Sequence, residues 1–216
     1  MTSLGRNRDG PDAWTGGERA LLRRLSTPGR IQDFLDRLTY RAEDRPACPR
    51  RVLRERRAHC YDGALLAAAA LRRLGHPPLL VDLWSVRDDD HVLAVYRVDG
   101  AWGALAKSNY VGLRFREPVY RSLRELAMSY FEAYYNTAGE KTLRHYSTPL
   151  RLERFDRLGW AFRDAPLELI AERLDAQPHH RLLSPAQVRR LQPVDRRTEA
   201  AGLVGARRAG LRRASP

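Results

Sequence analysis

The sequence predicts an α+β fold, and the order of its patterns supports this prediction. Helical patterns come first, strands joined by a tight turn follow, and helical patterns return towards the end. At 216 residues the chain is long enough for one domain with a buried core. We predict disorder over residues 1–16, a single domain over 17–192, and a basic, disordered tail over 193–216.

Three helices are predicted before the strands. A helix fits Gly17–Leu25, and a second begins after Thr27, a good N-cap residue, with Pro28 in its first turn. The stretch Cys60–Leu74 is apolar almost all round, and Gly75 ends it. An all-round apolar helix is a buried one, so we expect this helix to pack on the sheet.

Strands and later helices follow from apolar runs bounded by turn residues. The predicted strands are Leu79–Val86, His91–Val98, Trp102–Lys107 and Lys141–Leu152. Between the second and third strands, Asp99-Gly100 favours a two-residue hairpin turn, which makes these strands antiparallel. The remaining predicted helices are Ser122–Tyr135, Pro166–Leu174 and Pro185–Leu191.

Composition excludes several classes of protein. No apolar run approaches the roughly 18 residues of a membrane span, and Arg6, Arg8 and Asp9 stand where a signal peptide needs apolar residues. We therefore expect a cytoplasmic protein. Cys48 and Cys60, the two cysteines, are too few for a disulfide framework or a four-thiolate zinc site.

The net charge of +13 would attract polyanions. The basic residues are almost all arginines in a chain rich in Ala and Leu, which fits GC-rich coding better than selection for phosphate contacts. Nucleic acid is therefore not the expected partner. The arginine-rich tail remains a candidate surface for an acidic partner.

Cys60 and His91 are the candidate catalytic residues. Cys60 stands at the predicted N-terminus of a buried helix, where unpaired N–H groups and the helix dipole favour a thiolate. His91 opens a strand of the hairpin, and a helix packed on that sheet can bring the imidazole to the thiol as a base. The structural alternatives are a small core cysteine and a solvated turn histidine.

The hairpin register suggests which group orients His91. If Asp99 and Gly100 form the turn, counting back along both strands places Ser108 opposite His91. Ser108, or Asn109 at the strand end, would then hydrogen-bond the imidazole. Asp89 has the right parity to compete but precedes the strand.

These residues resemble a known family. The segments AHCYDGALLAAAALRRLG and DHVLAVYRVDGAW look like the transglutaminase-like branch of the papain-like cysteine enzymes over about Pro28–Tyr110. The resemblance implies acyl transfer or amide hydrolysis of a peptide or amide substrate through a Cys60 thioester, with His91 as base. It also implies a third triad residue, which is aspartate in the family, whereas WGALAKSNY offers Ser108 or Asn109. By analogy with the glutamine of papain-like proteases, Gln32 would donate to the oxyanion hole.

No cofactor or metal is expected. The chain has no GxGxxG or GxxxxGK[ST] phosphate loop, and the consecutive Asp88, Asp89, Asp90 and His91 do not converge on one ion. Two hypotheses stay open. One is a cysteine acyltransferase or amide hydrolase, and the other is an inactive transglutaminase-like domain that serves as a binding module.

Overall fold

The computed structural model describes residues 13–42 and 45–207. Most of the N-terminal segment predicted to be disordered, residues 1–12, lies outside the described residues, as do 208–216 at the end of the predicted tail. The first helix begins at Gly16, one residue before the predicted start.

Residues 16–73 are mostly helical, as predicted. Helix α1 is Gly16–Arg24, and α2 is Pro28–Arg37 with the Thr27 side chain accepting from the Arg30 N–H at its N-terminus. Helix α3, Pro49–Glu55, was not predicted, because its arginines hide a short apolar face of Val52 and Leu53. Helix α4 is Cys60–Arg73, and every residue from Tyr61 to Leu71 is buried.

Strands β1 Thr39–Tyr40 and β2 Arg57–Ala58 form a parallel pair apart from the main sheet. The strands of the main sheet are β3 Leu79–Ser85, β4 His91–Val98, β5 Ala101–Leu105, β6 Arg116–Tyr120, β7 Leu143–Ser147, β8 Leu150–Arg151 and β9 His179–Arg181. This sheet is antiparallel throughout, with strand order β6-β5-β4-β3-β7-β9 and with β8 paired to β3. The later helices are α5 Leu123–Met128, α6 Leu167–Asp175, α7 Pro185–Val188 and α8 Arg196–Gly202. The predicted α+β class with an antiparallel sheet is confirmed.

The β4–β5 hairpin has the predicted turn. Asp99 and Gly100 both have positive φ, 49° and 85°, as a tight two-residue hairpin turn requires. The predicted register is confirmed from the Val98–Ala101 pair to the Ala94–Leu105 pair, where the ladder between these strands ends.

The two faces of the sheet cover separate cores. Val92, Ala94 and Tyr96 of β4 pack in the core that contains α4, whereas Leu93 and Val95 pack in the core beneath α5. Side chains alternate between faces along a strand, so His91 belongs to the α5 face, with Leu93.

Other predicted elements differ in extent. The helix expected over Ser122–Tyr135 ends at Met128 and gives way to a short 3₁₀ helix, and the strand expected over Lys141–Leu152 divides into β7 and β8. Strand β9, which begins at His179, was not predicted. No helix within 13–42 or 45–207 has the length and apolar character needed to cross a membrane.

The described part of the predicted tail is structured. Asp195 caps the N-terminus of helix α8, and its carboxylate accepts from the Arg197 and Thr198 N–H groups. The Tyr135 hydroxyl donates to the Thr198 carbonyl at 2.9 Å. The sequence predicts a disordered tail, but Tyr135, in the body of the domain, supplies a partner for its described part.

Candidate functional site

A polar network fixes the N-terminus of α4, where Cys60 is the first residue. His59 is the N-cap, and its ring Nδ1 accepts from the Tyr61 N–H at 3.1 Å. The fully buried Asp62 carboxylate accepts from the Ala47 N–H at 2.7 Å and lies 3.6 Å from the buried Arg41 guanidinium. These contacts hold the first turn of α4 and so fix the position of the thiol.

The Cys60 thiol lies against the backbone of β4. Its sulfur is 3.8 Å from the Asp90 carbonyl oxygen, and the neighbouring Val92 N–H favours its thiolate form. Pairing of β4 with β5 begins only at Ala94, so β5 leaves the backbone groups of β4 before Ala94 without a strand partner. The Cys60 sulfur lies beside these unpaired backbone groups.

Burial raises the pKa of the Cys60 thiol to about 11. The Val92 N–H favours the thiolate, but the charges of Asp82 and Asp62 oppose it. The N-terminus of α4 was expected to favour a thiolate. Desolvation and the neighbouring carboxylates outweigh it, so the group is a neutral thiol near pH 7.

His91 is buried on the opposite face of the sheet from α4. Its Nε2 lies 2.7 Å from the Leu113 carbonyl oxygen, so the N–H of the neutral ring is on Nε2 and donates there. The Tyr134 ring is 6.4 Å away, centroid to centroid, in an edge-on arrangement. Burial, together with the charge of Arg116, lowers the pKa of His91 to about 4, although the hydrogen bond to the Leu113 carbonyl opposes this shift.

The predicted catalytic pair is therefore not joined. Within the described residues, no hydrogen bond links the Cys60 thiol to the His91 ring. The thiol meets β4 from the α4 side, and the imidazole leaves β4 on the α5 side. What the two residues share is the backbone of one strand.

The chain after β5 explains why the register does not reach His91. Gln32 of α2 accepts from the Ala106 N–H at 3.1 Å and donates to the Ala106 carbonyl at 2.9 Å. The next residue crosses α4 at Gly63, where an added Cβ would lie 2.4 Å from the Lys107 Cβ. The segment is thus drawn off β4 and onto α2 and α4.

Gln32 is a positioning residue in this arrangement. Its second Nε2 hydrogen goes to the Asp36 carboxylate at 2.8 Å, so both amide hydrogens are used. Gln32 therefore has no N–H left to donate to an oxyanion, as the suggested oxyanion-hole role would need. The physical reason is that this side chain replaces the strand partner of Ala106.

The predicted orienting residues make other contacts. Ser108 Oγ accepts from the Tyr110 N–H at 3.0 Å, and Asn109 hydrogen-bonds the backbone of Arg207. The Asp89 carbonyl accepts from the Tyr134 hydroxyl at 2.7 Å. The group that orients His91 is instead the Leu113 carbonyl, from the 3₁₀ turn beyond β5.

A pocket of about 340 Å³ lies where this segment passes the end of α2. We call it the Lys107 pocket. Its lining is mostly polar and comprises Asp36–Tyr40, Lys107–Val111, Arg114, Val204, Gly205 and Arg207. The buried Lys107 ammonium donates to the Leu38 carbonyl at 2.6 Å and contacts the Asp36 carbonyl at 3.4 Å, which completes the C-terminus of α2.

Positive charge dominates the Lys107 pocket. Among the residues that the structure describes, Arg37, Lys107, Arg114 and Arg207 line it, and Asp36 is the one acid. The Asp36 carboxylate is paired with Arg114 at 3.0 Å. Among the described residues, the Arg37 and Arg207 guanidinium groups have no ion-pair partner. Burial lowers the pKa of Lys107. The negative charge of Asp36 opposes this shift, and the charges of Arg114 and Arg207 add to it.

Tyr40 connects the Lys107 pocket with the Cys60 region. It lines the pocket, and burial, followed by the negative charge that a Cys60 thiolate would carry, raises the pKa of its hydroxyl. Sequence reasoning missed Tyr40, Arg114 and Arg207. The available signal for Lys107 is that it is one of two lysines in a chain whose other basic residues are arginines.

Comparison with known proteins assigns no family. No family model matches the chain, and no curated protein matches it. Across residues 13–42 and 45–207, no group of three or more His, Cys, Asp or Glu side chains is arranged to hold a metal ion.

Proposed function

We propose that the chain is a transglutaminase-like domain on a papain-like plan that works as a binding module for an anionic ligand. The plan is supported by Cys60 opening a buried helix packed against β4. The observation that carries the non-catalytic assignment is the placement of His91. Its imidazole faces the other side of the sheet and donates its N–H to the Leu113 carbonyl.

The ligand class follows from the Lys107 pocket. Its volume of about 340 Å³ is at the lower end of small-molecule sites. Three cations remain after Asp36 pairs with Arg114, and Ser108, Asn109 and Tyr40 add hydrogen-bonding groups. Carboxylate or phosphate groups, free or on an acidic partner, satisfy such a lining.

The anion test compares two lysine variants. Lys107→Met should raise the dissociation constant for citrate or pyrophosphate at least about tenfold, the loss of about 1.4 kcal/mol, because a partly desolvated cation is removed. Lys141→Met removes the same charge outside the pocket, where it pairs with Glu132. Titration calorimetry at fixed ionic strength measures both. Citrate and pyrophosphate together distinguish a carboxylate site from a phosphate site.

Arg37→Gln keeps the test independent of folding, because Arg37 is exposed and makes no ion pair among the described residues. It should weaken the same anion about threefold. If Lys107→Met and Lys141→Met bind the anion equally well, and Arg37→Gln binds it as tightly as the original protein, the Lys107 pocket is not the anion site.

The enzyme remains the second candidate because Cys60 is half-buried and the neighbouring Val92 N–H favours its thiolate form. Thiol reactivity separates the two. With a pKa of about 11, Cys60 should react with iodoacetamide at pH 7 roughly a hundredfold more slowly than free cysteine. Peptide mapping reports Cys60 and Cys48 separately, and the urea-unfolded chain is the control. Alkylation of folded Cys60 faster than free cysteine would favour the enzyme.

A further inference from the structure

The C-terminal segment, residues 195–207, packs against the domain next to the Lys107 pocket. Helix α8 lies so close to Tyr135 that a Cβ on Gly202 would be 1.9 Å from the Tyr135 hydroxyl oxygen. The Tyr135 ring in turn meets the Tyr110 ring edge-on at 5.6 Å between centroids. A side chain at position 202 would therefore have to displace the Tyr135 hydroxyl, which donates to the Thr198 carbonyl of the same helix.

The Asn109 side chain hydrogen-bonds the backbone at the end of the described segment, at Arg207. The Asn109 amide donates to the Arg207 carbonyl at 2.8 Å, and its oxygen accepts from the Arg207 N–H at 2.8 Å. Between these bonds and α8, Gly205 turns the chain with φ of 75°. Val204, Gly205 and Arg207 thereby form one wall of the pocket.

Closure of this wall carries an electrostatic cost. It adds Arg207 to Arg37, Lys107 and Arg114, and Asp36 is already paired with Arg114. The unfavourable effect reaches Lys107, since the Arg207 charge lowers the pKa of that buried ammonium. Like charges that line one pocket repel each other, whereas an anion bound among them is attracted to each.

We propose that the C-terminal segment is a clamp that closes over an anion in the Lys107 pocket, with Arg207 as a ligand-binding residue. The inference rests on the proposed function and adds regulation of the same site. Anion binding and closure then favour each other, and each must strengthen the other by the same factor.

Hydrogen exchange of the full chain, with pyrophosphate or citrate as probe, tests the clamp. A saturating probe should slow amide exchange over residues 196–207 about tenfold, and Gly202→Leu should weaken probe binding by a similar factor. Ala201→Leu is the matched control, because Ala201 is exposed in the same helix. Arg207→Gln keeps the backbone bonds to Asn109 but should lower both affinity and protection.

The outcomes separate the two proposals. If the probe binds but exchange over 196–207 is unchanged or faster, the clamp is wrong and the anion site stands. If Gly202→Leu and Ala201→Leu bind equally, closure does not contribute and the clamp is again wrong. If no variant and no intact chain binds either probe, the proposed function fails and the clamp fails with it.

Discussion

Gly63→Ala should destabilise the protein by about 2 kcal/mol, although alanine is the better helix former. In an open helix this change gains roughly 0.5–1 kcal/mol. At Gly63 the new Cβ would lie 2.4 Å from the Lys107 Cβ, so α4 and the segment after β5 must separate. Overpacking of this kind costs about 1–3 kcal/mol or more, which outweighs the gain in propensity.

Chemical denaturation of Gly63→Ala and Gly29→Ala measures the effect. Gly29 lies in α2 with nothing within 4 Å of its added Cβ, so this matched control should be neutral or stabilised. Adding Lys107→Gly to Gly63→Ala removes the opposing Cβ and should recover part of the loss. A stabilised Gly63→Ala variant would show that the two segments are not in contact.

The same contact marks the limit of what the sequence predicts. Local rules were sufficient for the Thr27 cap, the all-round burial of α4 and the Asp99-Gly100 turn, because neighbouring residues determine each of them. The predicted register of the β4–β5 hairpin is confirmed from the turn as far as the Ala94–Leu105 pair.

The part that failed depends on residues far apart in the chain. Gln32 replaces a strand partner for Ala106, 74 positions away, and no local pattern announces such a contact. Extrapolating the hairpin to Ser108 therefore placed it beside His91, whereas Gln32 and Gly63 lead the chain to the Lys107 pocket. Cys60 and His91 were correctly placed on their elements, but the face each side chain uses came from packing.

The same packing makes His91 a source of acid sensitivity. The pKa of His91 is lowered from 6.5 to about 4 in the folded protein, chiefly by burial. The unfolded chain therefore binds a proton as the pH falls below 6.5, while the folded protein does not until about pH 4. The contribution of His91 to the free energy of unfolding is therefore fully present above pH 6.5. It is lost as the pH falls from 6.5 to 4, and the loss amounts to up to about 3 kcal/mol.

His91→Gln isolates this contribution. A glutamine amide can donate to the Leu113 carbonyl in place of the Nε2–H, which lies 2.7 Å from it, but it does not titrate. Urea unfolding of both proteins at several pH values between 7.5 and 4 gives the difference curve, in which other titrating groups cancel. We expect the original protein to lose stability relative to His91→Gln as the pH falls. A flat difference curve would place the imidazole in solvent, where it would again be available as a base, and would reopen the case for a Cys60 enzyme.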